Sequence, residues 1–454
     1  MASSDYQNLT ARSCQAYSEF IPSSFSGELT DKGRETTLAL GQRLRKLYIY
    51  QLKFMPTIIS SGQGIYLRST PIPRALESVQ QAFCGMYPPQ FRSAHFIAPT
   101  VVTRQHSDET LFPNSADCRR FVELSRAFAR RTADKWNDSK EMEYLNKLLS
   151  AFMPPASPRV AVNSHPRLSG ILDTVNTTSA HGPATRLPQK FYDPRAREIM
   201  EKIGLEEWFA GYTQSREFRT IGIGALLGDI LKRMTDNIEQ ANGMRWNGIE
   251  QSRQNDQKGV VKPKFAMSGC HDSTLAAILA SLGAFKGESW PPFTSFISLE
   301  LFRRKNSPQP LPSSSPAKGE WNTSLQAKLE PRQQEQESPL SQSKSTWFDT
   351  LLNRVRSSNP TSTSSRMTTV SSTNQTQLAT TAKYDDYYVR LRYNDRSITI
   401  PACSRDKDNH LPEDDTFCTM KAFKAVVDEF TPKNWKQECE ANLGRGIVDL
   451  IEEE

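Results

Sequence analysis

Twice along this chain the spacing of apolar residues switches from extended to helical across a short polar junction. Ile65-Tyr-Leu67 ends in Arg68-Ser69-Thr70, and Ala75, Leu76, Val79, Ala82 and Phe83 then recur at helical spacing until Gly85 and Pro88-Pro89. The run Phe265-Ala-Met ends in Ser268-Gly269, and Leu275, Ile278, Leu279 and Leu282 follow at helical spacing, with Gly283 placed as a C-cap. Both stretches read as strand, tight turn, helix. They put Arg68 at one junction and His271-Asp272 at the other. In an open α/β sheet this end of the strands is where ligands bind, and helix N-terminal amides there favour anions.

The rest of the pattern arranges itself around these two units. Thr30 is a good N-cap for an amphipathic helix carrying Leu38, Leu40, Leu44 and Leu47. From about 110 to 250 the spacing is helical almost throughout, which predicts a helical cap inserted between two sheet-forming halves. Phe296 to Phe302 alternates as a strand does, and so does Tyr388 to Tyr393, with Ser397-Ile-Thr-Ile as its hairpin mate. Between them, from about 304 to 383, Ser, Thr, Gln and Pro dominate, and such a segment cannot bury enough apolar surface to offset its ordering entropy. It reads as a disordered insertion between neighbouring strands of one sheet. Two helices, Met420 to Phe430 and Asn434 to Leu443, close the chain.

Composition agrees with a globular core diluted by unstructured chain: 454 residues, 37% hydrophobic, with 28 Pro. The net charge of +7 suits an anionic substrate, but a solvated basic surface accounts for it, and nucleic acid is not expected as a partner. No apolar run is long enough to span a membrane, and the first residues have neither a basic nor an apolar signal region. As written the chain would be cytoplasmic, and a longer N-terminus would make it secreted or mitochondrial. Seven cysteines include no C-x-x-C pair, so no zinc or thioredoxin-type site is expected. Cys403 and Cys418 either form a disulfide or remain buried thiols.

These residues, in order, resemble the histidine acid phosphatases, the second branch of the histidine phosphatase superfamily, and most of all the fungal and mitochondrial lysophosphatidic-acid type. The resemblance lies in Gly27-Glu-Leu-Thr30, Leu40-Gly41-x-x-Leu44-Arg45, Tyr66-Leu-Arg68-Ser69-Thr70, Arg74-Ala-Leu-Glu77-Ser78, His271-Asp272, Trp290-Pro-Pro-Phe293 and Phe417-Cys418-x-Met420. It implies an α/β sandwich of three layers, phosphoglycerate-mutase-like, with a helical cap over a site that hydrolyses a small-molecule or lipid phosphomonoester. It also implies that Arg68 and His271 bind the phosphate, that Asp272 protonates the leaving alcohol, and that a phosphohistidine intermediate forms without metal or cofactor. Arg74 is read as structural, and the cap residues His165 and His181 as satisfied structural histidines that could instead face substrate.

The family's nucleophile motif, Arg-His-Gly-x-Arg, belongs before Arg68, yet the first histidine here is His95. Arg104-Gln-His106 follows Arg68 and is no substitute. The expectation is therefore a chain that begins inside the family's first long loop and does not turn over as this polypeptide. The alternative is a pseudophosphatase that binds a phospholigand without catalysis.

Overall fold

Helix α1 (Asp31–Arg45) starts where Thr30 accepts a hydrogen bond from the Gly33 amide, as its N-cap position requires. The computed structural model describes residues 27–182, 186–246, 263–304 and 384–446. Strands β1 (Ile59–Ser61) and β2 (Ile65–Ser69) precede helix α2 (Pro73–Met86), and β3 (Arg92–Ile97) and β4 (Val101–Thr103) follow it. Helices α1 and α2 pack at backbone contact. A Cβ on Gly41 would stand 2.0 Å from the Ala82 carbonyl oxygen, and one on Gly85 would stand 2.1 Å from that of Leu38. Leu40, Leu44, Val79 and Phe83 from these helices bury against Ile65 and Leu67 of β2. Gly85 therefore lies inside α2 rather than ending it, because the crossing needs it there.

The block from Arg119 to Trp246 is helical: α3 (Arg119–Trp136), α4 (Lys140–Leu149), α5 (Leu168–His181), α6 (Pro194–Gln214), α7 (Arg216–Arg219) and α8 (Ala225–Trp246). Trp136, Leu145, Leu172, Met200 and Ile203 build a hydrophobic cluster of its own there, with Trp290 packed against it. Strand β5 (Phe265–Gly269) and helix α9 (Asp272–Ser281) come next. Gly283, at φ +71°, ends that helical stretch in the left-handed conformation a C-cap glycine serves.

Strands β4, β2 and β5 form a three-stranded parallel sheet in that order, with Arg68 opposite Ser268 and Ser69 opposite Gly269. A second, antiparallel sheet runs β6 (Ile297–Arg303), β7 (Tyr387–Tyr393), β10 (Asp414–Thr419), β9 (His410–Leu411), with β8 (Arg396–Ile398) also on β7. β6 and β7 pair in register from Ile297 opposite Tyr393 to Arg303 opposite Tyr387, so two strands far apart in sequence are direct neighbours, as their alternation predicts. Between them, residues 305–383, nearly all of the expected insertion, lie outside the described residues. The chain ends its described part with α10 (Pro401–Ser404), α11 (Met420–Asp428) and α12 (Trp435–Cys439). The last is shorter than its sequence pattern predicts, and Cys439 at its end is bonded to Cys118. Cys403 and Cys418 are also joined, with Cα atoms 5.4 Å apart.

Candidate functional site

Because β2 and β5 are parallel and in register, their C-terminal ends lie side by side, and the residues after them meet. The Thr70 amide donates to the Gly269 carbonyl at 3.1 Å, and Thr70 Oγ1 lies 3.2 Å from His271 Nε2. Gly269 permits this approach: a Cβ there would stand 2.3 Å from the Ala75 carbonyl oxygen of α2. His271 occupies the N-cap of α9, and its amide donates to Thr274 Oγ1 at 3.4 Å. Thr274 Oγ1 in turn donates to the Leu111 carbonyl, which carries the segment after Glu109 across the site. The Phe112 ring meets the imidazole edge-on, centroids 6.0 Å apart.

Burial, and after it the positive charge of Arg74, pulls the His271 pKa below its ordinary value of 6.5, against the opposing pull of Asp272. The imidazole is therefore neutral at neutral pH. Asp272 is exposed, with each carboxylate oxygen held: the Ser273 amide donates to Oδ1 and the Trp290 indole N–H to Oδ2, both at 2.7 Å. Trp290 also donates its backbone amide to Glu201 of α6, so it ties the helical block to the acid. From α5, Asp173 faces the same region. Burial first, and then the charge of Asp272, raises its pKa above 3.8, while Arg74 opposes. The neighbouring thiol, Cys270, is pushed up to about 12 by burial and stays protonated.

Arg68 is 1% exposed, and its guanidinium is engaged. Nη2 donates to Glu109 Oε1 at 2.5 Å and to Thr110 Oγ1 at 3.0 Å, and Nη1 lies 3.5 Å from Asp229 Oδ2. Arg104 shares both neighbours, donating to Asp229 at 2.8 Å and to Thr110 Oγ1 at 3.2 Å. Glu109 is fully buried and also accepts from the Thr110 and Leu111 amides on the same oxygen. Arg68 Nε and Glu109 Oε2 have no partner among the described residues.

The structure thus brings His271, Asp272 and Thr70 together directly. Arg68, two residues before Thr70, is bonded to Glu109 and Thr110 of the segment whose Leu111 and Phe112 meet Thr274 and His271. Arg74, read from the sequence as structural, is exposed on the first turn of α2, and its charge acts on both His271 and Asp173. The cap histidine His181 has Nε2 3.4 Å from Thr30 Oγ1, whereas His165 is exposed and its amide donates to Ser157. Sequence reading missed Glu109, Thr110, Asp229, Asp173 and the role of Trp290. No spacing or periodicity marks Glu109, which lies two residues before the buried Leu111. Among the described residues no cluster of three or more His, Cys, Asp or Glu is arranged to hold a metal ion. Nor is any helix long and apolar enough to cross a membrane.

The C-terminal end of the parallel sheet thus carries an imidazole, a carboxylate and arginines beside a helical block. The chain belongs to the histidine phosphatase superfamily, branch 2, whose family model matches residues 22–313. It is 34% identical over 413 residues to a Schizosaccharomyces pombe protein named as a probable acid phosphatase, covering 91% of this chain and 76% of that one. Human lysophosphatidic acid phosphatase type 6 is 26% identical over 292 residues, and the match covers 62% of this chain and 58% of that protein. Among solved structures, the Citrobacter braakii phytase superposes with a TM-score of 0.50 at 12% identity, over 96% of this chain and 94% of that one, a likeness of fold.

Proposed function

We propose that this chain is the phosphate-binding and proton-donating part of a phosphomonoester hydrolase, and that the polypeptide binds phosphate without turning substrate over. The observation that carries the reading is the meeting of His271 with Thr70 at the shared C-terminal end of β2 and β5, beside Asp272 and within reach of the Arg74 charge. A neutral imidazole donates a hydrogen bond to a phosphate oxygen without competing for its proton. Arg74 and Arg68 supply positive charge where a phosphoryl group gains negative charge in its transfer. Asp272, which is exposed and accepts from Ser273 and Trp290, is the proton donor to a departing alkoxide in this reading, once one of those donors yields. The chain's relatives, an acid phosphatase and a lysophosphatidic acid phosphatase by name, support phosphomonoesters as the substrate class, with lysophosphatidic acid among them.

In the covalent step that the family implies, an imidazole nitrogen bonds to phosphorus as the ester P–O bond breaks, and water later releases the phosphate. No histidine precedes His95 in this sequence to supply that nitrogen. Among the described residues β5 pairs only with β2 and β6 only with β7 on the parallel and antiparallel sheets. Tyr48 touches both, its ring 5.3 Å from that of Phe265 and its hydroxyl 2.8 Å from Glu300. A strand delivering the nucleophile would find unpaired backbone groups on those edges.

The test is calorimetric titration with phosphate and tungstate beside an assay with an aryl phosphate. Binding without turnover is expected, and binding should fall at least tenfold in the His271→Ala, Asp272→Ala double variant, the loss of one charge-assisted hydrogen bond. Turnover well above that of the double variant refutes the inactive reading; no binding at millimolar phosphate refutes the site. The non-catalytic alternative, a pseudophosphatase, is favoured by the hold of Glu109 on Arg68. It is separated by fusing an apolar strand ending in Arg-His-Gly-x-Arg ahead of Gly27. Gain of turnover supports the hydrolase, and none supports the pseudophosphatase.

A further inference from the structure

The chain turns back on itself after α1 in a knuckle that the site does not use. From Tyr50 to Ile58 every residue except Met55 is exposed. Four of them are large and apolar: Tyr50 at 49%, Leu52 at 43%, Phe54 at 48% and Ile58 at 58%. A soluble surface scatters such residues singly, and four within nine positions form a patch. It is held rigid from beneath. Arg45, buried, donates to the Tyr50 hydroxyl at 2.7 Å and to the Thr57 carbonyl at 3.0 Å, and lies 3.6 Å from the centre of the Phe91 ring. The Phe54 and Met55 amides both donate to the Tyr48 carbonyl, and Lys53, at φ 50°, reverses the chain at the tip.

The sequence that builds the knuckle carries charge of one sign. From Thr36 to Leu76 the sequence contains no Asp or Glu, against six Lys and Arg. Lys46 and Lys53 flank the apolar residues, and both are exposed. Among the described residues neither has a carboxylate partner. Arg43, one turn before, has Asp395 at 3.9 Å. Protruding aromatic and aliphatic side chains on a rigid turn, ringed by uncompensated lysines, match an interface of apolar chains beneath anionic headgroups.

We propose that the Tyr50–Ile58 knuckle is a docking surface for an anionic lipid bilayer, with the aromatic and aliphatic tips entering the acyl boundary and Lys46 and Lys53 contacting headgroups. The proposal stands apart from the phosphatase reading, because its test needs no turnover. The full chain is sedimented with vesicles of phosphatidylcholine alone and with vesicles containing 30 mol% phosphatidylserine, on the order of a physiological anionic fraction. Binding to the anionic vesicles, weakened by salt, is expected. The Lys46→Gln, Lys53→Gln variant should bind about 25-fold more weakly, about fivefold for each cation removed from an anionic surface. Leu52→Ser with Phe54→Ser should weaken binding at least tenfold, roughly the loss of two partly inserted apolar side chains. All four side chains are exposed, so unchanged circular dichroism is expected.

Absence of binding to the anionic vesicles overturns the proposal. So does equal binding to neutral vesicles, or binding that neither variant alters. Self-association relieved by Phe54→Ser would assign the patch to a second copy of the chain and would overturn it as well.

Discussion

Removing the charge of Glu109 tests the least exposed part of the site. In Glu109→Gln the side-chain carbonyl keeps its place for the Thr110 and Leu111 amides and for Arg68, because all three donate to the single oxygen Oε1. What is lost is the counter-charge to an arginine 1% exposed. Removing one partner of a buried ion pair costs about 3–5 kcal/mol. Asp229 stands 3.5 Å from Arg68 Nη1 and offsets part of the loss, while the neighbouring Arg104 adds to it, so the lower end of about 3 kcal/mol is expected. That is about 1 M in urea midpoint for a slope near 3 kcal/mol/M. Arg68→Met should cost a similar amount, since it strands the carboxylate instead. The Arg68→Met, Glu109→Gln double variant removes both charges and should cost little more than either single one, a coupling of about 2–3 kcal/mol. The assay is urea unfolding followed by tryptophan fluorescence, with phosphate absent. Additivity of the two single losses within about 0.5 kcal/mol would refute the reasoning, because it would mean that the pair contributes no interaction energy.

Three other outcomes follow from the same structure. Gly41→Ala should destabilise by at least about 2–3 kcal/mol in the same urea assay, since its Cβ would meet the Ala82 carbonyl oxygen at 2.0 Å and a helix backbone must move. Cys118→Ala, with Cys439→Ala, opens a link across 321 residues and should lower stability by up to about 5 kcal/mol, read as a fall in melting temperature; reductant on the unmutated chain, which also opens Cys403–Cys418, should lower it at least as far. Asp173→Asn should raise the melting temperature at pH 7. The folded-state pKa of Asp173 lies above its unfolded value, so the group stabilises the fold only below 3.8, and that contribution is lost as pH rises through the folded value. The advantage of the variant should therefore vanish near pH 3.5, and an equal advantage at both pH values would sink this assignment.

What the sequence revealed and what it concealed divide along physical lines. Periodicity located α2, which buries one face over nearly four turns, and α9, whose larger apolar residues recur at helical spacing although it is buried all round. Strand alternation located β6 and β7 on either side of a polar stretch of residues 305–383, because pairing buries every second residue. Strands β1, β3 and β4 escaped, and they are short and lack clean alternation. Arg92-Ser-Ala-His-Phe-Ile97 reads as loop until its partner Ile59–Ser61 is in view. The two expected junctions, at Arg68 and His271, were visible because a strand-to-helix change leaves a local mark. Their surroundings were not. Glu109 is 41 residues from Arg68, and Trp290 is 18 residues from Asp272, so no spacing rule links them.

The same division explains why Arg74 and Arg68 exchange prominence between sequence and structure. Arg68 carries the family motif, yet burial at 1% obliges it to find counter-charges, and Glu109 and Asp229 supply them. Arg74, six residues on, lies past the end of β2 on the exposed first turn of α2, where among the described residues no carboxylate pairs with it and solvent satisfies it. Its charge is therefore free to act across the site, and it depresses the His271 pKa while it counters the rise at Asp173. A phosphate entering between them would gain the Arg74 charge at little cost in broken contacts. To gain that of Arg68 it must either use the Nε that has no partner among the described residues or displace Glu109 from Nη2. The buried arginine thus sets the position of the Glu109–Phe112 segment against His271, and the exposed one supplies the readily available charge. Arg74→Ala should accordingly weaken phosphate binding without loss of stability, whereas Arg68→Met should lose both together.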